Sequence, residues 1–337
     1  MKTAKFVRLG AVITTIAGAL VTTAAAVAAD PERVSLITAP FGTGSYVMGS
    51  ALEEISKKQP SAPQISSSES PGFIFNMKKL DREPELKKSM MVGSGAGVVG
   101  LAEVGQTPFT EKYPPLKLIA NYSVGAYWLA TLDPKIKSIS DLAGKKVALG
   151  RAAQINWAVQ PEWIMRYGYG LTKDKVNIQY VGTKEAIDAL LNGTADAAVV
   201  GGYLDPSTKK MVLSPQTTEF MASGRDIRFL EWGSAAIEKA KERGMKMTDF
   251  NIPPNTIKGV DRPLVVAADT TSWMVAPEFP DDVAYATTKL IIENLPKFGE
   301  FHALGKLMSL SGLVYGWTTS DIHPGALRAY REAGIVK

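Results

Sequence analysis

The sequence predicts an α/β protein built as two lobes. Short β-rich runs alternate with helical patterns along most of the chain, which is the mark of mostly parallel sheets covered by helices. Helical patterns then dominate the C-terminal part. Two extended stretches, near Tyr127–Asp133 and Val260–Pro263, stand where the chain can pass between lobes. These set the expected division: residues 1–29 a leader, 30–128 with 264–337 one lobe, and 129–263 the other.

The leader comes first. Lys2, Lys5 and Arg8 precede an apolar run from Leu9 to about Val21, and Ala26-Val27-Ala28 offers a small-residue cleavage site. The run is short for a spanning helix, which needs about 20 apolar residues. Export to a periplasm with cleavage near Ala29 is expected, leaving a protein that is not membrane-embedded. Without Lys2, Lys5 and Arg8 the chain carries 35 basic against 33 acidic side chains, so the whole-chain charge of +5 owes much to the leader. No Lys/Arg run interleaved with aromatics occurs, and a nucleic-acid partner is not expected. There is no cysteine, hence no disulfide, no reactive thiol and no lipid anchor on an N-terminal cysteine.

The elements follow in order. Arg33–Thr38 reads as a strand, and a helical pattern covers about Tyr46–Lys58. Lys117–Asn121 and Tyr127–Leu132 read as two strands. Ser140-Asp141 reads as a helix cap and Lys146–Leu149 as a buried strand. A helix is expected over about Ile155–Tyr167, a strand at Val176–Val181, a helix at Lys184–Leu191 and a strand at Asp196–Val200. Leu264–Ala268 and Ser272–Ala276 read as strands. Helices are expected over about Asp281–Asn294, Lys297–Leu310 and Gly325–Ala333.

Catalytic chemistry is scarce. The two histidines are His302 and His323, and no serine sits in a G-x-S-x-G elbow. The same counts exclude a His/Cys metal site. His323 precedes Pro324 and Gly325, which suits the start of a helix. Gly95-Ala96-Gly97-Val98-Val99-Gly100 matches G-x-G-x-x-G, but no Asp or Glu lies between Glu111 and Asp133 to hold a ribose. These glycines are read as a tight strand-to-helix turn lining a cleft. No cofactor, metal or catalytic group is expected.

Binding chemistry is better represented. Gly42-Thr43-Gly44-Ser45-Tyr46 lies between the first strand and the first helix. Free N–H groups at a helix start attract anions, and glycine admits a ligand closely. Thr43 and Ser45 add hydroxyls, Gly44 adds space, and Tyr46 can cover a ligand; an ordinary helix cap is the alternative. A matching place follows Leu149. There Arg151 can fork onto a carboxylate, Gln154 and Asn156 offer amides, and Trp157 can stack; a solvated Arg151 and a core Trp157 are the alternative. Ser94, Gly95 and Tyr203 are further candidates, each at a strand end.

Taken together, the chain resembles the TAXI solute-binding proteins of TRAP (tripartite ATP-independent periplasmic) transporters. The pieces are Gly42–Tyr46 with Gly49 and Leu52, Ile139–Gly150, Leu191–Ala197, Ile252–Gly259, and His323–Ala326 followed by Tyr330–Gly334, in that order over nearly the whole mature chain. The resemblance implies a two-lobed periplasmic binding protein (type II-like) with crossing hinge strands and a helical C-terminal tail. It implies a non-enzymatic receptor, a TRAP membrane permease as partner, and a small organic acid or amino acid as ligand, such as glutamate or 2-oxoglutarate. The chain departs from the family at Arg151–Ile155, where a P-G-S-G-T nest is usual, across Asp81–Gly97, and at Ile257, where the family has tyrosine. Alternatives are a receptor for an ABC importer or a sensor kinase and, more remotely, a secreted serine hydrolase using Ser94 or Ser45.

Overall fold

The computed structural model describes residue 1 and residues 32–337. The export leader expected over residues 1–29 lies outside the described residues, apart from Met1.

The chain opens with strand β1 (Arg33–Ile37) and helix α1 (Gly44–Lys57). Thr43 caps α1: its hydroxyl accepts from the Tyr46 N–H at 3.2 Å. Met48, Ala51, Leu52 and Ile55 recur at helical spacing, and they are the apolar side chains α1 buries. Then follow β2 (Gln64–Ser68), α2 (Phe73–Arg82), β3 (Met90–Gly95) and α3 (Ala96–Val104). β1 lies between β2 and β3, parallel to both. The β4 strand (Lys117–Thr131) is fifteen residues long.

A second α/β run follows: β5 (Lys146–Leu149), a helical stretch, β6 (Asn177–Tyr180), α5 (Thr183–Leu191) and β7 (Ala197–Leu204). The centre of the helical stretch is α4 (Gln160–Trp163), flanked by wide π turns at Ile155–Val159 and Ile164–Gly168. β5 pairs in parallel with β6 and β7. Next come β8 (Met211–Leu213), α6 (Pro215–Met221), β9 (Arg228–Leu230), α7 (Ser234–Lys241), β10 (Thr248–Ile252) and β11 (Leu264–Val275). The tail carries α8 (Asp281–Glu293), α9 (Phe298–Phe301) and α10 (Pro324–Glu332).

The strands join in the order β2-β1-β3-β11-β4-β7-β5-β6. The two central strands serve both flanks. Thr271–Val275 of β11 pair with β3, Gly125–Thr131 of β4 pair with β7, and β4 and β11 are antiparallel partners. This is the α/β class the sequence predicted, with two parallel units joined by crossing strands.

Three readings are corrected. β4 and β11 are single long strands, where the sequence suggested two short ones each. Polar residues such as Asn121, Asp269, Thr270 and Ser272 break the apolar pattern in sequence but are buried in the fold. Lys297–Leu310 is not one helix. It holds the end of a short turn, α9 and a 3-10 turn at Ala303–Leu307. Gly305 lies so close to Phe298 that a Cβ there would meet its main chain, and the fold-back wins over helical periodicity.

His323 does start a helix. It is buried, and its Nδ1 accepts from the Gly325 N–H at 3.3 Å. A Cβ on Gly325 would collide with the main-chain oxygen of Asp281, at the start of α8. Gly325→Ala should therefore cost about 1–3 kcal/mol, the usual range for overpacking. A denaturant titration reads this out; an unchanged midpoint would show that α8 and α10 can shift apart freely.

Candidate functional site

β3 ends at Gly95 and α3 begins at the next residue, so the glycine-rich stretch is the strand-to-helix turn expected of it. α2 starts nearby. Its cap position, Gly72, has φ 131° and gives no side-chain cap, leaving the first N–H groups of the helix unsatisfied by the usual route. Asn76 fixes that end of α2: its Nδ2 donates to the carbonyls of Thr38 at 2.7 Å and Gly93 at 2.8 Å. The Gly72–Phe75 turn is thereby held beyond the carboxyl ends of β1 and β3, where ligands of open α/β sheets sit.

On the other flank, β5 ends at Leu149 and the chain bends sharply. The Gly150 N–H donates to the Trp157 carbonyl at 2.8 Å. A Cβ on Gly150 would lie 2.7 Å from that of Trp157, so glycine permits the close approach. The Arg151 N–H donates to Gln154 Oε1 at 2.8 Å, which fixes the amide.

These two places face one cavity of about 290 Å³. Pro71–Phe75, Gly95 and Val98 line one side, and Ala153–Trp157 line the other. Asp269 and Thr271 of the crossing strand β11 complete the wall. Aromatic and aliphatic groups dominate, with a few amide, hydroxyl and carboxyl groups, as in small-molecule sites generally.

Of the residues singled out in the sequence, Gly95, Gln154, Asn156 and Trp157 lie in this wall. The rest lie elsewhere. Thr43 uses its hydroxyl on the α1 cap and on the Pro40 carbonyl, at 2.8 Å. Gly44 packs against Leu304, 2.7 Å from where its Cβ would be. Ser45 accepts from the Tyr122 hydroxyl at 2.9 Å. Ser45 is not part of the cavity wall. Tyr46 packs against Phe41 with ring centroids 5.0 Å apart. Ser94 is fully buried, and its hydroxyl has no partner among the described residues. Arg151 is exposed, and its side chain is not part of the wall. Tyr203 is in register with Gly125, which is in register with Asp269. It therefore shares the cavity's face of the sheet two strands away, about 10 Å from Asp269, and burial raises its hydroxyl's pKa.

Sequence reasoning missed Gly72–Phe75 and Asp269. Pro71-Gly72 ahead of a helical pattern was a usable signal, as was a lone acid inside a β-rich run. Asp269 is 5% exposed. Burial pushes its carboxyl up to about 7, against the opposing hydrogen bonds from Gly97, Gln160, Thr270 and Ala96. Gly97 is required there: a Cβ would press on Gln160, Ile155 and Asp269 together.

The Ala153–Ile155 wall has a second groove behind it, of about 370 Å³, lined by Trp163, Arg166, Tyr167, Lys173 and Tyr180 with Gln106–Pro108 opposite. Its acid, Glu162, accepts from the Tyr180 hydroxyl and pairs with Lys173 at 3.3 Å. Among the described residues no group of three or more His, Asp or Glu is placed to hold a metal, and no helix is long and apolar enough to cross a membrane.

The sequence profile of the NMT1-like family matches residues 36–334. The chain belongs to the NMT1-like family. Its fold is also that of solved structures. The TctC solute-binding protein from Polaromonas is 13% identical, with 84% of this chain and 89% of that chain covered and a TM-score of 0.52. XAC2383 from Xanthomonas citri, solved bound to ATP, is 14% identical over 90% and 97% of the two chains, with a TM-score of 0.50. The periplasmic aliphatic sulphonate-binding protein SsuA from Escherichia coli matches at 15% identity, 90% and 83% coverage and a TM-score of 0.45. The fold is thus one that a solved solute-binding protein also has.

Proposed function

We propose that this chain is an exported solute receptor that takes a small organic acid or amino acid into the cavity between its two lobes and delivers it to a TRAP membrane permease. The observation that carries the reading is the cavity itself. It lies where β11 crosses between the flanks, and both flanks supply its wall. In this reading the lobes meet near Ser123–Gly125 of β4 and Asp269–Thr271 of β11, a few residues from the boundaries expected from sequence. Closure about these strands buries the solute and strengthens each polar contact as water leaves.

The ligand's carboxylate is assigned to the uncapped start of α2 and to the amides of Gln154 and Asn156. Trp157, Phe73 and Phe75 cover its carbon skeleton. The permease partner and the carboxylate class rest on the resemblance to TAXI proteins, and the periplasmic location rests on the leader. An ABC importer as partner fits no better.

A thermal-shift screen of organic acids and amino acids tests the receptor reading. A ligand at 100-fold its dissociation constant stabilises by about 2.7 kcal/mol; no shift with any acid would remove it. Uptake by cells bearing the permease should then follow an ion gradient, whereas dependence on ATP would point to the alternative partner. Arg151→Ala measures the arginine separately. With its side chain outside the wall, affinity should change less than about threefold. A loss of tenfold, about 1.4 kcal/mol, would restore Arg151 as the anchor.

A further inference from the structure

We propose that the organic acid enters this cavity together with a proton, which comes to rest on the carboxyl group of Asp269. The inference deepens the proposed function and rests on it.

Asp269 is the one ionisable side chain in the cavity wall. It is held from both flanks. The Gly97 N–H, at the start of α3, donates to its Oδ1 at 3.2 Å, and Gln160 Nε2 donates to its Oδ2 at 3.0 Å. The groups packed around it bring no positive charge. From β4 the ionisable neighbour is the buried Tyr127, whose own pKa is raised by burial and by Asp269. α3 presents main-chain N–H groups, and the helical stretch presents the Gln160 amide. Lys246 reaches this cluster only through its carbonyl, which accepts from Gln160 at 3.3 Å. Its ammonium is engaged with Glu103 at 2.9 Å and Asp321 at 3.4 Å.

An organic anion in this cavity would therefore face a buried carboxylate with no cation between them. Two like charges in a dry site drive one group to take up a proton. Asp269 is already disposed to do so near neutral pH, because burial disfavours its charged form. The proton also has a place to point. Gln160 Oε1 is buried with no donor among the described residues. Turning that amide over, at the cost of its bond to the Lys246 carbonyl, presents Oε1 to Asp269, whose acid O–H can donate to it. The step is acid–base only: a buffer acid gives up one proton through the solvent and becomes its conjugate base, and the Asp269 carboxylate takes that proton as a new O–H bond, with no other bond made or broken.

Calorimetric titration with 2-oxoglutarate and glutamate as probes, at pH 8 in phosphate and in Tris, counts the protons. Their different ionisation enthalpies should reveal uptake approaching one proton per bound acid. Affinity should weaken by about tenfold per pH unit from 7 to 9, as expected for one linked proton. Asp269→Asn, which keeps a neutral donor, should bind with neither the pH slope nor the uptake. Binding without uptake, or the same slope in Asp269→Asn, overturns the proposal and leaves the receptor reading standing. Proton release overturns it too, and would place a cationic group of the solute on Asp269. If no acid binds, both readings fall.

Discussion

Thr271→Trp should abolish solute binding, by at least about 100-fold, without unfolding the protein. Thr271 rises from β11 at the floor of the cavity and is only partly buried. An indole placed there fills the cavity from below. Tryptophan suits a strand, and filling a void is more often stabilising than not. The lost bond from the Thr271 hydroxyl to the Ser123 carbonyl, 3.4 Å long, is a single hydrogen bond, worth about 1 kcal/mol. Melting of the variant should stay close to that of the unaltered protein, while the thermal shift with an active acid disappears. Retained affinity would mean that the solute binds elsewhere.

The second large effect concerns the crossing strands. Trp232 is fully buried. Its Nε1 donates to the Tyr127 carbonyl of β4 at 2.9 Å, and its N–H donates to the Val265 carbonyl of β11 at 3.0 Å. Tyr169 donates its hydroxyl to the Trp232 carbonyl. Trp232 thus ties the helical stretch to both central strands, the indole through its bond to β4 and the main chain through its bonds to β11 and Tyr169. Trp232→Ala should cost about 3–5 kcal/mol for the lost packing, and it also leaves the Tyr127 carbonyl without its donor. A fall in melting temperature of about 5–15 °C is expected. Trp232→Phe, which keeps most of the volume, should recover most of it. Equal losses in both variants would trace the effect to the indole N–H alone.

The alternation of strands and helices was legible where a parallel strand holds a short apolar run, whereas the polar β2, Gln64–Ser68, went unmarked. Lys146–Leu149 shows such a run plainly, while the run read at Asp196–Val200 continues through Gly201 and Gly202 to Leu204. The crossing strands were not legible as single elements. Their polar residues are satisfied by partners far along the chain: Asn121 Nδ2 donates to the carbonyls of Gly312 and Tyr315, and Ser272 donates to Asn121 Oδ1. No local pattern announces such partners. Between Asp205 and Val260 the chain forms short strands and helices too brief for periodicity to mark.

The cavity wall was legible on the second flank, where a strand end followed by amides and a tryptophan was read as a binding turn. On the first flank the sequence favoured Gly42–Tyr46, the turn with the most hydroxyls. The structure uses those hydroxyls for the cap and for Tyr122, and gives the cavity wall to Gly72–Phe75. Cap and ligand turn present the same residue types, so composition alone does not separate them.

A crystal structure of the complex with an acid that passes the thermal screen decides the central claim. Electron density for the acid should lie between Gly72–Phe75 and Ala153–Trp157, with an oxygen in hydrogen-bond reach of Gln154 or Asn156. Density in the groove of Trp163, Arg166 and Tyr180 instead, with the first cavity empty, would contradict it.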